Sequence, residues 1–120
     1  RDHWQYRLDT NGQPTGRSTF GGQPELMNAW GLGNQHFTDR GGSPGRGDRL
    51  VAAGGLTARG HLGSAWGLTS AMVFNRERRL GMVFLSGGPG FDPGTTPGAY
   101  SAFYRYEERI LTALYGAIAG

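Results

Sequence analysis

Residues 68–74 (LTSAMVF) and 80–85 (LGMVFL) are apolar runs of strand length, separated by the charged connection Arg76-Glu77-Arg78-Arg79. So short a connection suits an antiparallel pair and leaves no room for a crossover. Gly87-Gly88-Pro89-Gly90 ends the second run, because proline lacks an N–H donor and glycine favours turns. Thr96 then reads as an N-cap with Pro97 at the first helical position. The helix expected beyond it, to residue 118, places Phe103, Tyr106, Ile110, Leu114 and Ile118 near one stripe, with Arg105, Glu108 and Arg109 toward the outside. Such a helix needs an apolar surface to cover, and the adjacent strands supply it. The expected class is α+β: an antiparallel β-sheet covered on one face by a C-terminal helix.

Upstream, residues 50–53 form a short apolar run before Gly54-Gly55, and residues 56–62 can form a further strand carrying His61. Residues 4–8 alternate with period two, Asn11-Gly12 is a strong turn signal, and residues 15–20 can return as the second arm of a hairpin. Residues 24–30 (PELMNAW) read as a short helix or irregular cover. The polar, Gly-rich stretch 34–48 reads as a surface loop of the length that often carries function or moves. The chain thus divides into residues 1–49, a hairpin and irregular loops, and residues 50–120, the strands and terminal helix.

Composition excludes several chemistries. All 12 basic residues are Arg, so the chain offers no catalytic lysine, and a guanidinium cannot replace one as a proton acceptor. There is no cysteine, which removes disulfides, thiolate nucleophiles and cysteine metal sites. A net charge of +3 permits an anionic partner without requiring one. No apolar stretch approaches the roughly 20 residues of a membrane span. The first residue is Arg, which fits removal of a preceding segment; periplasmic, secreted and cytoplasmic locations all stay open.

Among the polar residues, His61 stands out as a proton-transfer or hydrogen-bonding group on a strand, and Gly60 and Gly63 beside it permit close backbone approach. Gly41-Gly42-Ser43-Pro44-Gly45 matches the letters of a nucleophile elbow, yet no apolar strand precedes it and no helical pattern follows. His3, His36 and His61 have no metal-binding spacing, so no metal and no cofactor are expected. Arg46-Gly47-Asp48 spells an adhesion tripeptide but reads as a solvated turn. Arg40, Arg46, Arg49, Arg59, Arg76, Arg78 and Arg79 have the chemistry to contact phosphates. With so small a net charge and no recognition motif, nucleic acid is not the expected partner.

His61-Leu62-Gly63 resembles the third motif, Lys/His-Thr/Ser-Gly, of the serine β-lactamase and penicillin-binding-protein superfamily, in particular its class C-like esterase and peptidase branches. The resemblance continues through Ser64-Ala65-Trp66-Gly67-Leu68-Thr69-Ser70, the two strands and the terminal helix, and Ala29-Trp30-Gly31-Leu32-Gly33 is similar to a segment that often precedes the motif. It implies the C-terminal part of a serine β-lactamase-like domain, completed by a missing or separate N-terminal chain that carries Ser-x-x-Lys and Tyr-x-Asn-like motifs. Neither motif occurs in these 120 residues. It further implies acyl-enzyme chemistry on a small-molecule or peptide-like substrate. His61 would tune the proton network, and Ser64 would lend its backbone N–H to the oxyanion hole, a donor worth about 3 kcal/mol. Leu62, Gly63 and Trp66 would shape the substrate pocket. Leu62 stands where the family commonly has a hydroxyl that binds a substrate carboxylate, which favours a neutral ester or amide. β-Lactamase or D-aminoacyl peptidase and carboxypeptidase activity is the alternative within the superfamily, and a noncatalytic binding module is the alternative outside it.

Overall fold

The computed structural model describes residues 4–5, 25–88 and 97–119. They form an antiparallel sheet of six strands in spatial order β1-β2-β3-β4-β5-β6, the order of the chain. The strands are β1 (Trp4–Gln5), β2 (Ala29–Trp30), β3 (Gln35–Phe37), β4 (Ala58–Ala65), β5 (Leu68–Asn75) and β6 (Leu80–Gly87), followed by the helix α1 (Arg105–Ala119). The α+β expectation is met. The return arm expected at residues 15–20, with its Asn11-Gly12 turn, lies outside the described residues, as do Pro89, Gly90 and Thr96.

Two local devices make the β4-β5-β6 meander. Trp66 and Gly67 close the first hairpin as a two-residue loop, with φ of +46° and +80°. Positive φ at both central positions gives the turn a twist that matches the flanking strands. The second connection, residues 76–79, is a turn in which the Arg79 N–H donates to the Arg76 carbonyl at 3.2 Å. Asn75 Oδ1 accepts the Arg78 N–H at 2.7 Å, satisfying a backbone donor within the connection.

The period of two sorts the strands into faces. Thr69, Ala71 and Val73 on β5, with Met82 and Phe84 on β6, are buried beneath the helix side, while Leu68, Met72, Val83 and Leu85 point away and are exposed. Leu111 is the fully buried anchor of α1, and Ile110, Leu114 and Tyr115 pack against the same core. Phe103, just ahead of the helix, stacks on Phe37 with centroids 6.3 Å apart, tying the chain before α1 to β3. Leu26, Leu50, Val51 and Leu56 complete the core, so the 50–53 run contributes buried side chains without forming a strand.

The helix differs from expectation at its start and in its rotation. It begins at Arg105, and Pro97 instead forms an isolated bridge with Tyr104. The acids of the first turn explain this. Glu107 Oε2 accepts the Tyr104 N–H at 2.9 Å, a backward cap from the third helical residue. The Glu108 carboxylate accepts the N–H groups of Ala99 (2.7 Å) and Tyr100 (3.0 Å) and the Ser101 hydroxyl (2.8 Å), folding residues 97–104 over the helix start. Glu108, expected outside, is therefore buried, and Ile118, expected in the buried stripe, is half exposed. Satisfying three donors outweighs the ordinary preference of a carboxylate for water.

The stretch 34–48 also differs from a plain surface loop. It contains β3, and Asp48 within it is fully buried. The Asp48 carboxylate accepts the Thr38 N–H (2.7 Å), the Thr38 hydroxyl (2.8 Å) and the Arg40 N–H (2.7 Å), closing the loop on itself. Arg46 pairs with Glu25 at 2.8 Å. Arg46-Gly47-Asp48 is thus a loop clasp instead of a solvated turn, and its carboxylate is not presented to solvent. Residues 24–30, read as a helix or irregular cover, contain a turn and the short strand β2.

Candidate functional site

Among the described residues β4 extends past its neighbour β3. β3 is only three residues long and pairs with β4 at Ala58, Arg59 and Gly60. β4 runs on for five more residues, each paired with β5 on the other side. Among the described residues no strand flanks His61–Ala65 on the β3 side, so this stretch offers an extended backbone edge of the kind that accepts another extended chain. Beside it opens a cavity of about 380 Å³, bounded by Met27 and Trp30 near β2, Gln35 on β3, Leu62 to Ser64 on β4, and Phe103, Tyr104 and Glu107 at the start of α1.

The register distributes the expected site residues over both faces of β4. His61 lies opposite Met72, on the face away from the helix, and is exposed. Its ring meets Trp30 edge-on at a centroid distance of 5.6 Å. Nδ1 stands 3.3 Å from the Leu62 carbonyl; in the tautomer that donates there, Nε2 is left as the acceptor. Leu62 lies opposite Ala71 on the helix side, half buried against the core. Gly63 lies opposite Ser70, whose hydroxyl fills the space a Cβ would need. Ser64 lies opposite Thr69 and is exposed at the cavity rim.

Trp66 does not stand with them. It occupies the tip of the β4-β5 turn, fully exposed, and the cavity is lined without it. A left-handed residue in a two-residue hairpin projects beyond the sheet, so the aromatic wall expected there is supplied by Trp30. Ser43 lies in an exposed turn.

Two polar residues in this cavity escaped the reading of the sequence. Gln35 is 0% exposed; its Nε2 donates to the Leu26 carbonyl at 2.6 Å, which fixes the amide orientation and leaves Oε1 buried without a hydrogen-bond partner. Glu107 is 6% exposed, and burial raises its carboxyl above the ordinary range, opposed by the Tyr104 N–H. The signal for Glu107 was the acidic pair in the first helical turn. Gln35 had none, because a three-residue strand has too few positions to show a period.

The raised Glu107 pKa has a definite consequence for stability. A carboxyl that ionises less readily when folded contributes fully below its unfolded pKa, and that contribution is lost as pH rises through the folded value. Glu107→Gln keeps a carbonyl to accept the Tyr104 N–H and removes the titration. The variant is therefore expected to gain stability relative to wild type as pH increases from 4 to 7.5, by urea unfolding at each pH. A constant difference would contradict the assignment.

Elsewhere Arg49 pairs with Asp39 at 3.1 Å, and Arg78 reaches the Tyr115 hydroxyl (2.7 Å) and the Gly55 carbonyl (2.8 Å). Among the described residues no group of three His, Asp or Glu is placed to hold a metal ion, and no helix is long and apolar enough to cross a membrane. No family model, no curated protein and no solved structure matches this chain.

Proposed function

We propose that this chain is the C-terminal segment of a serine hydrolase acting on an ester or amide, completed by an N-terminal chain that brings the Ser-x-x-Lys serine and a Tyr-x-Asn-like motif. The observation that carries the reading is the free β4 edge at His61–Ser64 bordering the cavity, where an extended acyl chain can lie. The face of the sheet that bears His61 also supports it. Met72, Val83 and Leu85 are 50%, 59% and 71% exposed there, an apolar surface beside the histidine that a completing chain would bury.

In this mechanism the partner's serine oxygen attacks the substrate carbonyl while its proton passes to the partner's base. The carbonyl oxygen gains the negative charge, stabilised by the Ser64 backbone N–H together with that of the nucleophile. Collapse of the tetrahedral intermediate expels the alcohol or amine with a proton, and water then releases the acid from the acyl-enzyme. His61, with Nδ1 beside the Leu62 carbonyl, modulates the proton network from the outer face. Leu62 offers no hydroxyl to a substrate carboxylate, which favours esters and amides over the β-lactam and D-aminoacyl peptide substrates of the same superfamily.

A fluorophosphonate probe tests this on the assembled protein. Denaturing mass spectrometry is expected to show the label on a serine of the completing chain, with turnover of p-nitrophenyl esters lowered about 10- to 100-fold by His61→Ala. Label on a serine of these 120 residues, or none on any chain while the assembly is folded, would overturn the proposal. The second outcome would favour a noncatalytic binding module, for which the absence of a local nucleophile motif and of lysine speaks.

A further inference from the structure

The helix side of the cavity carries two buried or nearly buried acceptors. Gln35 Oε1 is a buried acceptor with no donor, and Glu107 adds a nearly buried carboxylate. Among the described residues no arginine lines the cavity, and the chain has no lysine. An unmade hydrogen bond to a buried carbonyl costs about 1–3 kcal/mol, and a carboxylate as buried as Glu107, which accepts the Tyr104 N–H, still carries a desolvation cost. The remaining walls combine the apolar side chains of Met27, Trp30, Leu62 and Phe103 with Ser64, Thr69, Ser70 and Tyr104. A ligand that removes both costs must bring N–H donors and positive charge on a small apolar body.

We infer that this cavity binds a primary ammonium group attached to an apolar moiety, with Gln35 Oε1 and the Glu107 carboxylate accepting its protons. The ammonium supplies three donors and a positive charge for these acceptors. The apolar moiety lies against Trp30 and Phe103, and a volume of about 380 Å³ accommodates a group of phenethyl size. As a statement about substrates this rests on the hydrolase reading and names amine-bearing esters or amides; as a statement about binding it stands by itself. The same acceptors turn away carboxylates, in agreement with the missing hydroxyl at Leu62.

Titration calorimetry of the chain with phenethylammonium, 2-phenylethanol and 3-phenylpropionate tests it, because the three probes share a body and differ in the polar end. The ammonium is expected to bind at least about tenfold more tightly than the alcohol, with the carboxylate weakest. Its saturation is expected to shift the Gln35 side-chain amide resonance, and Glu107→Gln is expected to abolish the preference for the ammonium. Equal affinity for ammonium and alcohol, or an unchanged preference in Glu107→Gln, overturns the inference. Should that variant fail to fold, the ranking of the three probes on wild type and the Gln35 resonance decide it. Binding without fluorophosphonate labelling of the assembled protein would sink the hydrolase reading and leave the ammonium site standing; labelling without ammonium preference would do the reverse.

Discussion

Gly60→Ala is expected to destabilise the fold by about 3–5 kcal/mol, among the larger costs a single substitution produces. Gly60 is buried on β4, and a Cβ there would run into the Met72 carbonyl oxygen, with the Met72 carbonyl carbon and Val73 Cα also within 2.9 Å. All three are backbone atoms of the neighbouring strand, so no rotamer change relieves the overlap; β4 and β5 must separate or slip. The next residue is His61, and the same pairing positions Leu62, Gly63 and Ser64, so the damage falls on the site edge as well as on the core. Gly81→Ala is the matched control: a Cβ there meets only the Val73 carbonyl at 3.6 Å and Phe74 Cβ at 3.9 Å, ordinary contact distances. Urea unfolding of both variants, with amide exchange at Met72 and Val73, separates them. A Gly60→Ala cost no larger than that of Gly81→Ala would refute the packing argument.

Asp48→Ala is expected to cost about 3–5 kcal/mol, because it strands buried donors that carry charge-assisted hydrogen bonds. The carboxylate gathers the Thr38 N–H, the Thr38 hydroxyl and the Arg40 N–H, each within 2.8 Å, and thereby pins β3 and the loop that follows it. Burial raises the pKa of Asp48, while those donors pull it down, so its environment is a compromise between desolvation and hydrogen bonding. Asp48→Asn retains one acceptor oxygen and is expected to lose roughly half as much. Thermal unfolding gives the two costs, and amide exchange is expected to accelerate at Thr38 and Arg40 first. Wild-type protection at those amides in Asp48→Ala would show that the loop is held by something else.

The two variants fail for different reasons, and both reasons bear on where the fold is visible in the chain. The β4-β5-β6 meander rests on local signals: apolar runs of strand length and the charged connection at residues 76–79. Each arises from neighbours within a few residues, so a single sequence suffices to find them. The presence of a terminal helix is of the same kind, since its apolar spacing repeats over many residues.

Its start and rotation are not. Whether Glu108 faces water depends on three donors that residues 99–101 happen to bring back over the first turn. That is a contest between desolvation and hydrogen bonding, and the pattern of apolar residues contains no trace of its outcome. β2 and β3 are similar: two and three residues cannot display a period, and they exist because β4 offers them a partner.

The candidate site divides along the same line. His61, Leu62, Gly63 and Ser64 could be singled out as candidates because a histidine between glycines at the end of a strand-length run is visible in the chain. Gln35 and Glu107 were not, because what makes each of them noteworthy is burial, and burial is a property of the assembled neighbours. By itself the sequence determined the meander, the covering helix and the exclusion of lysine and cysteine chemistry. Only the tertiary structure decided that β4 outruns β3, that Trp30 instead of Trp66 walls the cavity, and that two buried acceptors line it. Local pattern sets which segments pair, whereas the free energy of desolvating a polar group is set by everything packed around it.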